Sequence, residues 1–231
     1  MKVGIIVPLA QEMKPLTGKT IPKGHCEKIS ADITVCQSGV GREKTRLAAQ
    51  RLISHKVELL ISWGSATGLS PKVAGGDLII PRTVKVDNKI YDAHGPFNIE
   101  LLTQIPDGVR VHQGPICESG KLLVSVDSKK KLFESSQCLA ADMESASLAE
   151  FASEKNIPFS VIRTVSDPAN MKLPRAVLAG MGPDGQFQMR NFLKTALIHP
   201  WEWWSIINLA WNFKKALKTL KIVAQLLKAK T

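Results

Sequence analysis

The sequence lacks most of the short patterns that would assign a chemistry outright. Its four cysteines, Cys26, Cys36, Cys117 and Cys138, show no C-x-x-C spacing and no accompanying histidine cluster. That argues against a zinc site and reads as reduced cytosolic thiols. No stretch approaches the ~18 consecutive apolar residues of a membrane-crossing helix. The dinucleotide pattern G-x-G-x-x-G with its following acid is absent, as is the full G-x-x-x-x-G-K-[ST], so phosphate binding in either mode is not expected. There is no internal repeat and no low-complexity tract. The opening MKVGIIVPLAQEM has too few apolar residues and no small-residue cleavage site, and reads as a first strand rather than a signal peptide.

What is present is ordinary in bulk and uneven in charge. The 231 residues, 44% hydrophobic and 22% charged, suffice for one large α/β domain or a domain with an appendage. The net charge is +11, and from His199 onward six lysines stand against one acid, Glu202. That tail carries +5 and the preceding 198 residues +6, which points to an anionic partner at the C-terminal end.

Periodicity predicts alternating strands and helices. Val3 to Pro8 is a continuous apolar run, the mark of a strand buried on both faces. Ile33 to Cys36 predicts a second strand, and residues 42–54 a helix burying Leu47, Ala48, Leu52 and Ile53. Leu59 to Trp63 predicts the next strand, ending in a glycine turn, Gly64 to Gly68. Asp77 to Pro81, Val109 to Ile116 and Lys121 to Val126 are further strand candidates, with Val86 to Glu100 a polar loop over the site. Cys138 to Asp167 reads as a helix, a turn at Asn156-Ile157-Pro158, and a buried strand from Phe159 to Val165. Pro168 to Gln186 is expected to loop before a helix at about 186–197. The sum is a mainly parallel sheet with crossover helices.

Acids cluster at the ends of that 138–167 unit: Asp142 and Glu144 at the helix start, Asp167 after the strand. Ligands of open α/β sheets bind beyond the carboxyl ends of the strands. Each acid alone has an ordinary role, complementing a helix dipole or shaping a turn. Gly39-x-Gly41 and Gly64-x-x-x-Gly68 could cradle an anion on backbone amides, or simply let strands and helices approach closely. His94 and His112 are isolated and read as surface or packing residues.

Taken together, these motifs resemble the purine and uridine phosphorylase superfamily. Val3-Gly4-Ile5-Ile6 leading to Glu12, Gln37-Ser38-Gly39-Val40-Gly41, Gly64-Ser65-Ala66-Thr67-Gly68, Asp142-Met143-Glu144-Ser145-Ala146 and Arg163-Thr164-Val165-Ser166-Asp167 follow the family's order over residues 1 to about 197. Within it the chain is similar to nucleosidases that cleave methylthioadenosine and S-adenosylhomocysteine. Leu173-Pro174-Arg175-Ala176 and the Pro-Trp-rich basic end are similar to a narrower hopanoid-associated branch, proposed to remove adenine from adenosylhopane. The resemblance implies a three-layer α/β/α fold around a mixed, mainly parallel sheet, with a catalytic domain over 1–198 and a C-terminal helix over 199–231. It implies N-glycosidic hydrolysis without metal or cofactor, in a cytoplasmic enzyme that is at least a dimer and binds no nucleic acid.

The resemblance also distributes roles. Asp167, oriented by Ser166, matches the acid that protonates the purine. Glu12 matches the base that activates water, with Ser65 and Arg163 holding the water or the glutamate. For Arg163 a structural ion pair is an equal alternative. Glu144 matches the group that grips ribose hydroxyls, Met143 packs on the sugar, and Leu123 and Val124 cover adenine. Asp142 reads as a helix-start residue. Phosphorylases of the superfamily carry an arginine before the second glycine motif, where this chain has Ser62-Trp63, and a glycine-aspartate with arginine in the first loop, where it has Val7-Pro8-Leu9-Ala10. Water is therefore the expected nucleophile and phosphorolysis the rival. A nucleoside- or lipid-binding module is the non-enzymatic alternative.

The tail from Pro200 holds four of the five tryptophans. As a helix it aligns Trp203, Ile206 or Ile207, Ala210, Phe213, Leu217, Leu220, Ala224 and Leu227, with Lys214, Lys218, Lys221, Gln225 and Lys228 on another face. Tryptophans at one end and lysines beside an apolar stripe suit an anionic membrane surface. Docking on its own domain or a sister subunit is the equal alternative.

Overall fold

The computed structural model describes residues 1–182 and 187–229. In chain order the elements are β1 (Val3–Val7), α1 (Ala10–Thr17), β2 (Cys26–Lys28), β3 (Ile33–Gln37), α2 (Arg42–Ser54), β4 (Leu59–Gly68), β5 (Leu78–Ile79), β6 (Thr83–Val86) and β7 (Lys89–Asp92). They continue with α3 (Gly95–Leu102), β8 (Val111–His112), β9 (Ile116–Glu118), α4 (Val126–Ser136), β10 (Ala140–Asp142), α5 (Ser145–Lys155), β11 (Phe159–Asp167), α6 (Arg175–Gly180) and α7 (Met189–Ile198). A short turn of 3-10 helix, Pro200–Glu202, then leads into α8 (Trp203–Ala229).

All the strands join one mixed sheet in the order β2-β3-β1-β4-β10-β9-β6-β7, with β11 beside β4, and β5 and β8 beyond it. The pairings β1–β3, β1–β4, β4–β11, β9–β10, β6–β9 and β5–β8 are parallel. Helices α2 and α5 cover one face, where Ala48, Leu52, Leu148 and Ala152 pack on Ile6, Leu60 and Val161. On the other face α1, α3 and α8 bring Met13, Leu16, Phe97, Leu101, Leu220 and Val223 onto Ile5, Ile61 and Ile162. The expected three layers are therefore present.

Within 138–167 the expected helix, turn and strand form as α5, Asn156-Ile157-Pro158 and β11, but Ala140–Asp142, read as part of the helix, is strand β10, held extended between β9 and β4. Asn156 closes α5 in the left-handed conformation, φ 52°, a cap that asparagine tolerates, and Ile157-Pro158 turns the chain into β11.

Other expectations need correction. Gly64 to Gly68 is no turn: β4 runs straight through it, paired with β11 from Leu60 to Thr67 and with β10 at Thr67 and Gly68. Flanking backbones on both sides keep this small-residue stretch extended. Val86 to Glu100 is no loop over the site either. It holds the turn at Asp87, φ 49°, and the second strand of the edge hairpin β6–β7, then most of α3; an edge strand exposed to solvent reads as polar and irregular. Val109 to Ile116 breaks at Gly114-Pro115 into β8 and β9, which join different neighbours. Lys121 to Val126 is an unpaired connection into α4. Leu47, expected inside, is half exposed at 50%. The 168–186 segment contains α6, begun at Pro174, while Gln186 lies outside the described residues. Cys26 and Cys36 form a disulfide because antiparallel β2 and β3 set them directly opposite; only Cys117 and Cys138 remain as buried thiols.

The C-terminal helix divides its apolar stripe. Leu220, Val223, Ala224 and Leu227 are buried in the core. Trp203 and Ile207, at its start, are 51% and 59% exposed.

Candidate active site

Two polar clusters form along the neighbouring ends of β4 and β11. The first is built on Arg163, which is wholly buried and sits opposite Gly64 in the parallel register. Its Nε lies 2.7 Å from Asp142 Oδ2 and its Nη2 3.3 Å from Glu144 Oε2. Nη2 also donates to Ser62 Oγ at 2.7 Å, and Nη1 to the Ser65 carbonyl at 3.3 Å. Asp142 Oδ1 accepts from the amides of Glu144 and Ser145 at 3.1 and 2.9 Å. Asp142, the last residue of β10, thus holds the amides that lead into α5 and also fixes the arginine. The Gly41 amide donates to Glu144 Oε1 at 3.2 Å, so this glycine loop serves a carboxylate.

Glu12 reaches the same cluster from α1 and is almost wholly buried at 1% exposure. Its Oε1 accepts from the Ser65 amide at 2.8 Å and from Ser65 Oγ at 2.5 Å. Its Oε2 accepts no hydrogen bond among the described residues. A Cβ on Gly64 would stand 2.7 Å from both Glu12 Oε2 and Arg163 Nη1. With φ 152° as well, the position requires glycine for a steric and a conformational reason. Burial pushes the Glu12 carboxyl above its ordinary 4.5, against opposing bonds from Ser65 and the charge of Arg163.

Three buried carboxylates therefore surround one guanidinium, which pairs with Asp142 and Glu144 and attracts Glu12 from further off. Burial, opposed by Arg163 and reinforced by Asp142 and Glu12, raises Glu144 to about 7. The native state then holds a proton that the unfolded chain, with its ordinary value of 4.5, has released. This contribution to stability is complete below the unfolded value and is lost as pH rises through the folded one. The thermal midpoint of the ligand-free protein should fall between about pH 4.5 and about pH 7, and Glu144→Gln should flatten that slope. An unchanged slope in the variant would mean that Glu144 stays ionised against Arg163.

The second cluster surrounds Asp167, 5% exposed at the end of β11. The register with β4 slips between Val165 and Asp167, a bulge that re-aims the end of the strand. Ser166 Oγ lies 2.8 Å from Asp167 Oδ1, and Thr67 Oγ1 lies 3.3 Å from the same oxygen. Lys129 Nζ, wholly buried, stands 2.9 Å from Oδ2. Burial pushes this carboxyl above its ordinary range, and Lys129, then Ser166 and Thr67, pull it down. Ser65 and Thr67, two residues apart on β4, space the clusters by about 7 Å along the strand.

The structure therefore gathers Glu12, Ser65, Arg163 and Glu144 at one cluster and Ser166 and Asp167 at the other. Met143 is half-buried between β10 and α5. Leu123 is buried against Leu69 and Ala141, and the Val124 carbonyl accepts from Leu173 N at 2.9 Å, which seats this connection beside the segment that follows Asp167. Sequence reasoning missed Ser62, Thr67 and Lys129. Lys129 had a signal within the run 129–131: it lies three and four residues before Leu132 and Phe133, on the helix face that packs on the core.

Comparison with known proteins comes to the same place. A family model described as the phosphorylase superfamily matches residues 2–180. Among solved structures, the 5′-methylthioadenosine/S-adenosylhomocysteine nucleosidase of Neisseria meningitidis, in complex with methylthio-immucillin-A, is 18% identical, with 99% of each chain covered and a TM-score of 0.72. The corresponding nucleosidase of S. pneumoniae is 20% identical over 98% of this chain and 100% of its own, with a TM-score of 0.67. Futalosine hydrolase of Helicobacter pylori is 18% identical over 97% of each chain, also at 0.67. The structural likeness is one of fold, and the family match spans both polar clusters, from Glu12 to Asp167: the chain belongs to the phosphorylase superfamily.

Proposed function

We propose that this chain is a purine nucleosidase that hydrolyses the N-glycosidic bond of an adenosine derivative and releases adenine. The observation that carries this reading is the Glu12 carboxylate. One oxygen is locked by Ser65 while the other, buried, accepts no hydrogen bond among the described residues, as suits a base taking a proton from water attacking C1′. Asp167 delivers a proton to purine N7 as the bond breaks, since adenine is a poor anionic leaving group. Glu144 accepts the ribose hydroxyls, Met143 packs on the sugar, and Leu123 and Val124 bound the adenine. Phosphorolysis fits less well. Arg163 is already engaged by Asp142, Glu144 and Ser62, and the free Glu12 oxygen would repel a phosphate dianion.

For the 5′ group we favour an apolar, lipid-like substituent such as that of adenosylhopane, drawn from an anionic membrane. Supporting this, Leu193, Leu197, Trp201, Trp204, Ile207 and Trp211 leave large apolar surface exposed on α7, the 3-10 turn after it and the start of α8. Lys214 and Lys215 lie beside the Trp211 ring, at 5.8 and 6.0 Å, and such a mixture suits the interface of an anionic bilayer. No helix among the described residues is long and apolar enough to cross a membrane.

The test is adenine release in phosphate-free buffer, comparing methylthioadenosine with adenosylhopane in liposomes. The hopanoid should be cleaved at least about tenfold faster on a kcat/KM basis. Trp201→Ser with Trp204→Ser should lower binding to anionic vesicles and hopanoid turnover together, leaving methylthioadenosine cleavage unchanged. Deleting the whole tail is a poor test, because Leu220 and Val223 belong to the core. Equal or better cleavage of methylthioadenosine would make this a salvage nucleosidase and refute the lipid substrate.

A further inference from the structure

Lys129 is the one wholly buried lysine among the described residues, and the chemistry set out above does not use it. Besides the Asp167 carboxylate at 2.9 Å, its Nζ faces the carbonyl oxygens of Met171 at 2.8 Å, Pro168 at 3.0 Å and Asp167 at 3.4 Å. An ammonium has three N–H bonds: the three carbonyls take them, and Asp167 Oδ2, which has no hydrogen bond among the described residues, meets Nζ as an ion pair. Every one belongs to the acid or to the turn immediately after it. Lys129 is itself held by the start of α4, where Ser125 and Ser128 cap one another's backbone amides.

Stability alone gives little reason for such a group. A buried ion pair costs desolvation that its Coulomb attraction only partly offsets, and apolar side chains of similar volume often serve as well. The arrangement instead joins three things: the acid, the turn behind it, and α4, whose preceding connection holds Leu123 and Val124.

We propose that Lys129 is a positioning residue, a cation that locks the Asp167 carboxylate and the 168–171 turn into one unit with α4. This rests on the reading of Asp167 as the acid. The groups that face the carboxylate are Lys129 from α4, Thr67 from β4 and Ser166 from its own strand. Lys129 brings the only full charge among them, and it opposes the effect of burial. Its presence therefore limits how far into the alkaline range Asp167 remains protonated, and it holds Oδ2 toward α4 while Ser166 and Thr67 hold Oδ1.

Lys129→Met tests this, with adenine release followed across pH. The alkaline limb of kcat should move up by about one pH unit and kcat at its optimum should fall about tenfold, with KM changed less than about threefold. A purely structural lysine would lower activity or thermal stability and leave the limb in place, and that result would overturn the proposal. If the methionine variant does not fold, Lys129→Gln decides. Its shorter side chain keeps an N–H donor on this face without the charge, so the limb must again move up. Asp167→Asn in the same assay separates the two levels. Retained turnover there would sink the acid reading and this proposal together, whereas an inactive Asp167→Asn beside an unmoved limb in the Lys129 variants would sink this proposal alone.

Discussion

Replacement of Asp167 by asparagine should lower kcat for adenine release by about a thousandfold, roughly 4 kcal/mol of transition-state stabilisation, and change KM by only a few-fold. The substitution keeps the shape and the Oδ1 acceptor for Ser166 and Thr67 but removes the transferable proton. Proton transfer by a positioned group typically contributes about 10²–10⁴ in rate, and protonation at N7 is where adenine departure needs it most. The wild-type enzyme should also lose kcat as pH rises through the Asp167 value, which burial raises. Because Lys129 would then face a neutral amide, the thermal midpoint should be measured in parallel. The three backbone carbonyls around its ammonium should keep the variant folded. Turnover close to wild type would place the proton source elsewhere.

The second large effect is expected at Glu12. Glu12→Gln should reduce hydrolysis by about 10²–10³, with the ligand affinity set by Glu144 and Asp167 largely kept. The glutamine carbonyl can replace Oε1 as the acceptor for Ser65, but its NH2 stands where Oε2 would take a proton. The same variant discriminates between nucleophiles. Removing the carboxylate also removes the charge that repels phosphate, so wild type and variant should both be assayed with and without phosphate, with ribose 1-phosphate as the diagnostic product. Under the hydrolytic reading phosphate accelerates neither enzyme. Phosphate-dependent turnover in wild type would make the chain a phosphorylase, and Arg163 would then have to exchange its carboxylate partners on binding.

Much of this site was legible along the chain because its parts lie in short local motifs. The Asp142 to Ser145 stretch opens a helix, and the Ser166-Asp167 pair follows a run of buried residues. Those patterns are set by periodicity and by capping chemistry within a few residues. The helix 42–54 and the strand from Phe159 were legible for the same reason. The stretch Gly64 to Gly68 was misread as a turn because glycine and small residues weaken local preference. Its extended form is imposed from outside, by β11 on one side and β10 on the other. Leu47 was misplaced by periodicity for a related reason: a helix lying on a sheet buries a narrower stripe than its apolar residues occupy.

Residue patterns were enough for the alternation of strands and helices, the two-sided burial of β1, the burial of β11, the placing of Asp167 after a strand and of Asp142 and Glu144 at a helix start, and the family. Each follows from residue periodicity or from an ordered set of motifs. The tertiary structure alone decided which charges meet. Arg163 finds Asp142, 21 residues earlier in the chain, and shares its cluster with Glu12 from α1, while Lys129 leaves a run of three lysines to meet Asp167, 38 residues on. It also decided that Cys26 faces Cys36, and that half of the C-terminal stripe is core while the other half is surface. These outcomes depend on sheet order and register. Strands distant in sequence are brought within about 5 Å of one another, and at that separation burial and Coulomb forces, rather than local propensity, assign a side chain its role.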